Sequence, residues 1–586
     1  MRFGTWCCAF VFCSIGFAVP VHAQDARAAR MALIKQGGAA GKSTLDQIPS
    51  AVQNTLPAHG RLAHLADMID NSSASAAQSP GAADDDSDAD DDDDSGLARV
   101  NDPRSDFAFS PFAGYTQSTT STARCGDSVV VGFNDSRSTL ATVFRGNGGV
   151  SLSGVAVSND GGKSFRDLGA VPPGLSPTNF LLGQPSVACS DSRHFFYAQD
   201  FTDTANSGFV TTAVALSRSS DGGQTWSDPV PVTKPLQNLG GELFDDGRVA
   251  VDPSNPSRVY VAYRHLLINF VNTPTGNCPP LPGPESVIEV ISSTDGGATF
   301  GPPVTLDDRC GFFDSDRLLV GVRMAVSSRG RVHVASQLFT ILGSENIAQG
   351  IEVMSFTPGE APGPAVIVDA VFAAGTDVND LIFGFGVNLL PEYALQGGFK
   401  SQRGFDLAVD SSGGALDGSV YLVWEDGRDK SIPDAISDFD GTYEFADVFL
   451  SSSTDGGQTF SSSAQVNSDV QPATGRGFDH YQPTIAVDRT GKMGLCWYDR
   501  RRDPQNFQFE RFCAASVDGG RSFAEFVVPG SQSTPSRGQD LLIRRDEMGQ
   551  YDGLATDFLG RAAGFVDAFQ WMSSGMNPDV RAHTFR

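Results

Sequence analysis

One eight-residue pattern, Ser-x-Asp-x-Gly-x-Ser/Thr-aromatic, recurs five times along this chain, at 158–165, 219–226, 293–300, 453–460 and 516–523. A pattern repeated on that scale means a repeated structural unit, so the fold must be an array of like modules. The residue types suit a tight turn. The aspartate can accept hydrogen bonds from nearby backbone N–H groups, the glycines permit positive φ, and the aromatic ring covers the turn against its sheet.

Around each pattern the same order of elements is expected. After Pro483, an apolar strand at Thr484 leads to a turn at Arg489-Thr490-Gly491 and a second strand that ends at Tyr498. A polar loop, a third strand entering Ser516, the pattern itself and a fourth strand from Phe523 complete a four-stranded antiparallel meander. Equivalent units start near Ser118, Pro185, Arg248, Arg323, Phe405 and Gly553; the fourth has lost its pattern and the last has three strands. Seven units predict an all-β fold, a seven-bladed β-propeller, with six blades as the alternative. The last blade needs a further strand, and Phe107 to Tyr115 is the expected one. Closure by an N-terminal strand removes an exposed sheet edge.

These repeats resemble the Asp-box (BNR) repeats of the sialidase-like propeller superfamily, over about Phe107 to Arg586. The resemblance implies a carbohydrate-active propeller with its site at one axial mouth. Sialidases hold a substrate carboxylate with three arginines and use a tyrosine nucleophile, an assisting glutamate and an aspartate acid/base. By this likeness Tyr551 would be the nucleophile, Glu547 its assistant, and Asp135 or Asp246 the acid. Arg248, Arg317, Arg428 and Arg501 would hold the substrate. The first-blade Phe-Arg-Ile-Pro motif of sialidases is missing: Phe144-Arg145 runs on into Gly146-Asn147. Asp boxes also occur in binding and assembly proteins. Whether the chain is an enzyme, of the exo-sialidase type, therefore stays open. A glycan-directed role, by binding or by hydrolysis of glycosidic bonds, stands beside a non-catalytic extracellular scaffold that binds protein.

The residues allow a second reading of these candidates. Strand order places the first turns and the repeated patterns on one face, and the inter-blade loops with the ligand site on the other. To that second face come Phe133-Asn134-Asp135-Ser136-Arg137, Trp424-Glu425-Asp426-Gly427-Arg428 and Trp497-Tyr498-Asp499-Arg500-Arg501. Arginine binds carboxylates bidentately, but a recurring Asp–Arg pair favours a brace in each blade over a ligand site, which occurs once per ring. Tyr551 has a packing role as its alternative. The loop from Asp426 to Asp447, with Asp429, Asp434, Asp438, Asp440 and Glu444, permits a structural calcium. No cofactor is required, and no local zinc motif is present.

Acids outnumber bases 69 to 42, and the nine aspartates between Asp84 and Asp94 explain only part of that excess. A body this acidic repels phosphate backbones, which excludes nucleic acid as a partner; a glycan or glycoconjugate is expected instead, with the protein a monomer. Met1-Arg2, the apolar run from Thr5 to Val19 and Val21-His22-Ala23 read as a signal peptide over 1–23. Residues 24–105 read as a low-complexity acidic linker, and 106–586 as the propeller. No later stretch is apolar enough to span a bilayer, so the protein is expected in the periplasm or secreted. Six cysteines then remain, enough for three disulfides. Cys496 and Cys513 flank one hairpin, Cys278 and Cys310 share one face of the third blade, and Cys125 is left with Cys189.

Overall fold

The computed structural model describes residues 97–103, 107–109, 112–114, 116–145, 148–203, 212–233, 242–268, 284–310, 317–342, 346–374, 376–377, 393–395, 404–433, 442–533, 549–572 and 578–586. Seven antiparallel meanders form and stand in a ring. The first three consist of Gln117–Cys125, Ser128–Asp135, Ser153–Ser158 and Arg166–Ala170; Ser186–Cys189, Phe195–Asp203, Ala213–Ser219 and Val230–Pro231; and Glu242–Asp252, Asn255–Ile268, Pro284–Ser293 and Val304–Cys310. The fourth and fifth are Arg317–Val326, Val332–Leu342, Asn346–Phe356 and Val366–Val371, then Phe405–Val409, Val420–Pro433, Thr442–Ser453 and Ala464–Gln465. The sixth is His480–Val487, Met493–Asp499, Glu510–Ser516 and Ala524–Val527. In the seventh, Gly553–Thr556, Phe565–Trp571 and Asp579–Phe585 are joined by Ala98–Arg99. Among the described residues, no helix is long and apolar enough to cross a membrane.

The core lies between blades. Val130, Val155 and Val157 of the first pack on Val187, Tyr197 and Ala215 of the second. Phe196 and Leu216 meet Val249, Val261 and Ile291 in the same way one seam further on. Both faces of each sheet are thus buried, which is why Val129-Val130-Val131 is a continuous apolar run with no polar alternation.

The repeated turns explain their own residues. Ser158 Oγ donates to Asp160 Oδ1 at 2.7 Å and accepts from Gly162 N at 2.9 Å, while Asp160 also accepts from Ser164 N at 3.0 Å. The same bonds recur around Asp221, Asp295, Asp455 and Asp518. Hydrogen bonds to the charged form hold the Asp295 carboxyl well below the usual range. Each turn's second glycine lies against the preceding blade. At Gly223 (φ 85°), a Cβ would stand 2.6 Å from Val130 Cγ2.

Ring closure differs from expectation in one respect. The strand that completes the seventh blade is Ala98–Arg99, paired with Ala582 and Arg581, and so lies within the stretch expected to be linker. The expected strand instead folds on itself as a two-stranded hairpin, Phe107–Phe109 with Phe112–Gly114. The reason is Val100. It is 1% exposed and fills the seam between Val129, Val131 and Phe133 of the first blade and Val566, Val580 and Ala582 of the seventh. Asn101 then ties the segment to both blades, donating to Asp579 Oδ1 at 2.8 Å and to Gln117 Oε1 at 3.2 Å.

Two expected disulfides are present, Cys125–Cys189 between the first two blades and Cys496–Cys513 within the sixth. Cys310 is disulfide-bonded, and its expected partner Cys278 lies outside the described residues. On the face carrying the repeated turns, Phe558 of the last blade's first turn packs into the seams of blades one to three. Arg489 of the sixth blade donates to its carbonyl at 2.9 Å and, with the other terminal nitrogen, to Ser411 O of the fifth at 2.9 Å. Contacts reaching across so many blades place Phe558 near the axis on that face.

Candidate functional site

At the opposite face the inner strands begin with a kink. Two residues stand against one between Ser118 and Ser121, Asp245 and Arg248, Val320 and Arg323, and Tyr481 and Thr484. The first inserted residue is left-handed in each: Thr119 (φ 53°), Asp246 (φ 54°), Gly321 (φ 73°) and Gln482 (φ 52°), with Gln184 (φ 61°) at the same place in the second blade. These bulges bend the strands at the rim and re-aim their side chains.

Two arginines resume the ladder just past their kinks, and Tyr551 lies between them. The Arg248 Cζ is 3.6 Å and the Arg323 Cζ 4.7 Å from the centre of the tyrosine ring. Arg248 Nε donates to Val322 O at 2.8 Å, and Arg323 Nη1 to the same carbonyl at 2.8 Å. Among the described residues, Asp406 at 3.8 Å is the carboxylate that pairs with Arg323. It also accepts from Thr484 Oγ1 and Ile485 N. Among the described residues Arg248 has no carboxylate within ion-pair distance, and its Nη2 is buried without a partner. Burial and the like charge of Arg248 push Arg323 down to about 10, against the pull of Asp406. Two guanidiniums thus share one ring and one ion-paired carboxylate, with the charge of Asp246 also acting on Arg323 and on the ring.

The geometry treats the remaining sequence candidates unequally. The Tyr551 hydroxyl donates to Pro185 O at 2.8 Å, and burial raises its pKa although Arg248 and Arg323 oppose the shift. Such a hydroxyl is protonated and committed, as in a packing tyrosine. Asp246 stands at the mouth with Arg248, whereas Glu547 lies outside the described residues. So does the side chain of Arg317.

Asp135 does other work. It caps the helix Ser136–Arg145, accepting from Arg137 N at 3.0 Å and from Ser138 Oγ, and takes a third bond from Gln117 Nε2 at 3.2 Å.

Arg428 and Arg501 are braces. Arg428 donates to Asp426 through Nε and Nη2, at 2.9 and 2.6 Å, and reaches Asp369 of the fourth blade at 3.1 Å. Arg501 holds Asp499 in the same way and bridges to Asp469 and Glu525. In the loop read for calcium, Asp426 is therefore taken up by Arg428. Asp447 lies 3.1 Å from His480 and accepts from Asn467 at 2.8 Å; Asp434, Asp438 and Asp440 lie outside the described residues. Although burial disfavours its charge, His480 is kept protonated by Asp499, Asp447 and Asp469. Among the described residues, the group meeting metal-ligand spacing is Cys496, Cys513 and Asp567, whose cysteines are spent in a disulfide.

Sequence reasoning missed Arg323, Asp406 and Gln184 as mouth residues. A signal existed: Gln184-Pro185-Ser186-Val187-Ala188 and Gln482-Pro483-Thr484-Ile485-Ala486 mark one rim position in two blades.

No family model matches the chain, and no curated protein does. Solved structures similar to it include the Hadza microbial sialidase Hz136, at 14% identity over 74% of this chain and 72% of that one, with a TM-score of 0.38. The Penicillium chrysogenum α-L-arabinanase complexed with arabinobiose is 12% identical over 83% and 97% of the two chains, TM-score 0.40. A polysaccharide lyase of family PL25, an ulvan lyase, is 10% identical over 81% and 95%, TM-score 0.44. At such identities the likeness is one of fold.

Proposed function

We propose that this is an exported propeller that binds an anionic glycan at the rim bearing Arg248, Arg323 and Tyr551, without cleaving it. The observation that carries the reading is the pair of guanidiniums on one tyrosine ring, with one ion-paired carboxylate and an unpartnered Arg248 Nη2 among the described residues. Arginine in such a place is suited to a carboxylate, by charge and by its forked donors. The sugar component rests on the repeated turns and their resemblance to Asp boxes. Export rests on the N-terminal reading and is supported by the disulfides. Hydrolysis is disfavoured because the Tyr551 hydroxyl is bonded to a backbone carbonyl and its pKa is raised.

Calorimetric titration with sialosides and oligouronates, beside neutral glycosides, tests the reading. Wild type should bind the acidic sugars, Arg248→Met should weaken binding at least tenfold, and a fluorogenic sialoside should not be turned over. Binding indifferent to Arg248, or turnover lost in Tyr551→Phe, would overturn it. Capture of a protein ligand without any glycan binding would favour the scaffold.

A further inference from the structure

We propose that Gln184 and Asp246 form a hydroxyl-reading edge of this mouth, contacting the secondary alcohols of a sugar whose carboxylate lies on Arg248. The inference rests on the reading above and names the residues that would set its specificity.

Both residues occupy the first kink position of their inner strands, in neighbouring blades, and both are left-handed, at φ 61° and 54°. A residue with a Cβ is strained there, and glycine is not. The fourth blade shows the unstrained solution, Gly321 at φ 73°. Something other than backbone geometry therefore accounts for the side chains at 184 and 246.

The other two left-handed side chains at these kinks have structural uses. Thr119 Oγ1 accepts from Gln550 N at 3.2 Å, and Gln482 Nε2 donates to Asp552 at 3.3 Å. Gln184 and Asp246 have none. Gln184 is 1% exposed, and its Oε1 has no donor among the described residues. Asp246 is 9% exposed, and its carboxylate neither accepts a hydrogen bond nor forms an ion pair among them. The Gln184 oxygen is thus a buried acceptor without a donor, which costs free energy until a donor reaches it.

Proximity brings these groups to one place. Pro185 O, next to Gln184, receives both Tyr551 Oη at 2.8 Å and Arg248 Nη1 at 3.5 Å. Arg248 is two residues beyond Asp246, whose charge acts on Arg323 and Tyr551. A buried amide oxygen that lacks a donor, and a carboxylate with no partner among the described residues, thus adjoin a guanidinium nitrogen that lacks an acceptor. Adjacent hydroxyls supply the first two and a carboxylate the third, which describes a sugar acid.

The test compares Gln184→Gly, Asp246→Gly and Asp246→Asn with wild type, by thermal melting and by titration with methyl α-N-acetylneuraminide, glucuronate and methyl glucoside. The glycine variants should melt at or above the wild-type temperature, because they remove strain. All three should lose affinity for the sugar acids at least tenfold. A lowered melting temperature in both glycine variants would make the side chains structural and overturn the proposal, as would unchanged affinity. If wild type bound only methyl glucoside, and did so through Gln184 and Asp246, the anionic reading would fail while this edge stood. Binding of none of the three would overturn both.

Discussion

Arg511 and Asp567 lie fully buried across the seam between the sixth and seventh blades, the Nε and Nη2 of one donating to the two carboxylate oxygens of the other at 2.9 and 2.8 Å. The remaining Nη1 reaches Asp552 at 3.0 Å, and Asp552 is the residue after Tyr551. One guanidinium therefore locks the closing blade to its neighbour and fixes the backbone of the rim tyrosine. Burial raises the Asp552 carboxyl to about 6, opposed by Arg511 and reinforced by Asp567.

Arg511→Met should lower stability by about 3–5 kcal/mol, because it strands two buried carboxylates. Arg511→Lys should recover only part of that loss, since a point charge cannot bridge both acids. Urea denaturation of the three proteins measures the difference. Full recovery of wild-type stability by the Lys variant would mean that the fork geometry is immaterial.

Between the third and fourth blades, Glu352 is buried against Asp307 and Arg309, with Arg309 Nε 2.7 Å from Asp307 and Nη2 3.3 Å from Glu352. Burial, together with the Asp307 carboxyl, pushes Glu352 up to about 8, against the pull of Arg309. The folded protein then holds a proton that the unfolded chain releases near 4.5. Stability from this group is complete below about 4.5, declines as pH rises, and levels off above about 8. Across that window Glu352→Gln should remove a loss on the order of 2–4 kcal/mol, seen as a flatter dependence of melting temperature on pH. An unchanged profile would count against the assignment.

Gly223→Ala should cost about 2–4 kcal/mol, combining positive φ with a Cβ 2.6 Å from Val130 Cγ2. Gly413 has a similar φ of 73° but open space around it, so Gly413→Ala should cost only about 1 kcal/mol. Chemical denaturation of the pair separates strain from crowding, and equal losses would refute the inter-blade contact.

The two disulfides should differ in worth. Cys125–Cys189 closes 64 residues and Cys496–Cys513 closes 17. Chain entropy assigns them about 4 and about 3 kcal/mol respectively. Paired Cys→Ala variants should also differ in kind, because only the first disulfide crosses between blades. Limited proteolysis of the Cys125→Ala/Cys189→Ala protein should open the seam between the first two blades; protection equal to wild type would argue otherwise.

The ring was legible in the sequence because each repeated turn carries its own hydrogen-bond acceptor and its own crowded glycine. The closing strand was not. Aromatic alternation from Phe107 imitates a strand, whereas the segment that closes the ring is chosen by one valine that fits a two-blade seam. Asp135 and Arg428 were visible as a motif, but cap and brace look like acid and anchor until their partners are known. Arg248 and Tyr551 were found by position. Arg323 and Asp406 were not, because their convergence depends on a kink that shifts which residue faces the axis.

The place of Phe558 near the axis bears on what shape of ligand can be admitted. A tube open at both ends would let a polymer thread through and be read along its length. An aromatic ring beside that path disfavours threading, so a long chain held at the rim should present its tip. Recognition would then be of the terminus, and affinity should be indifferent to how far the chain extends beyond the rim.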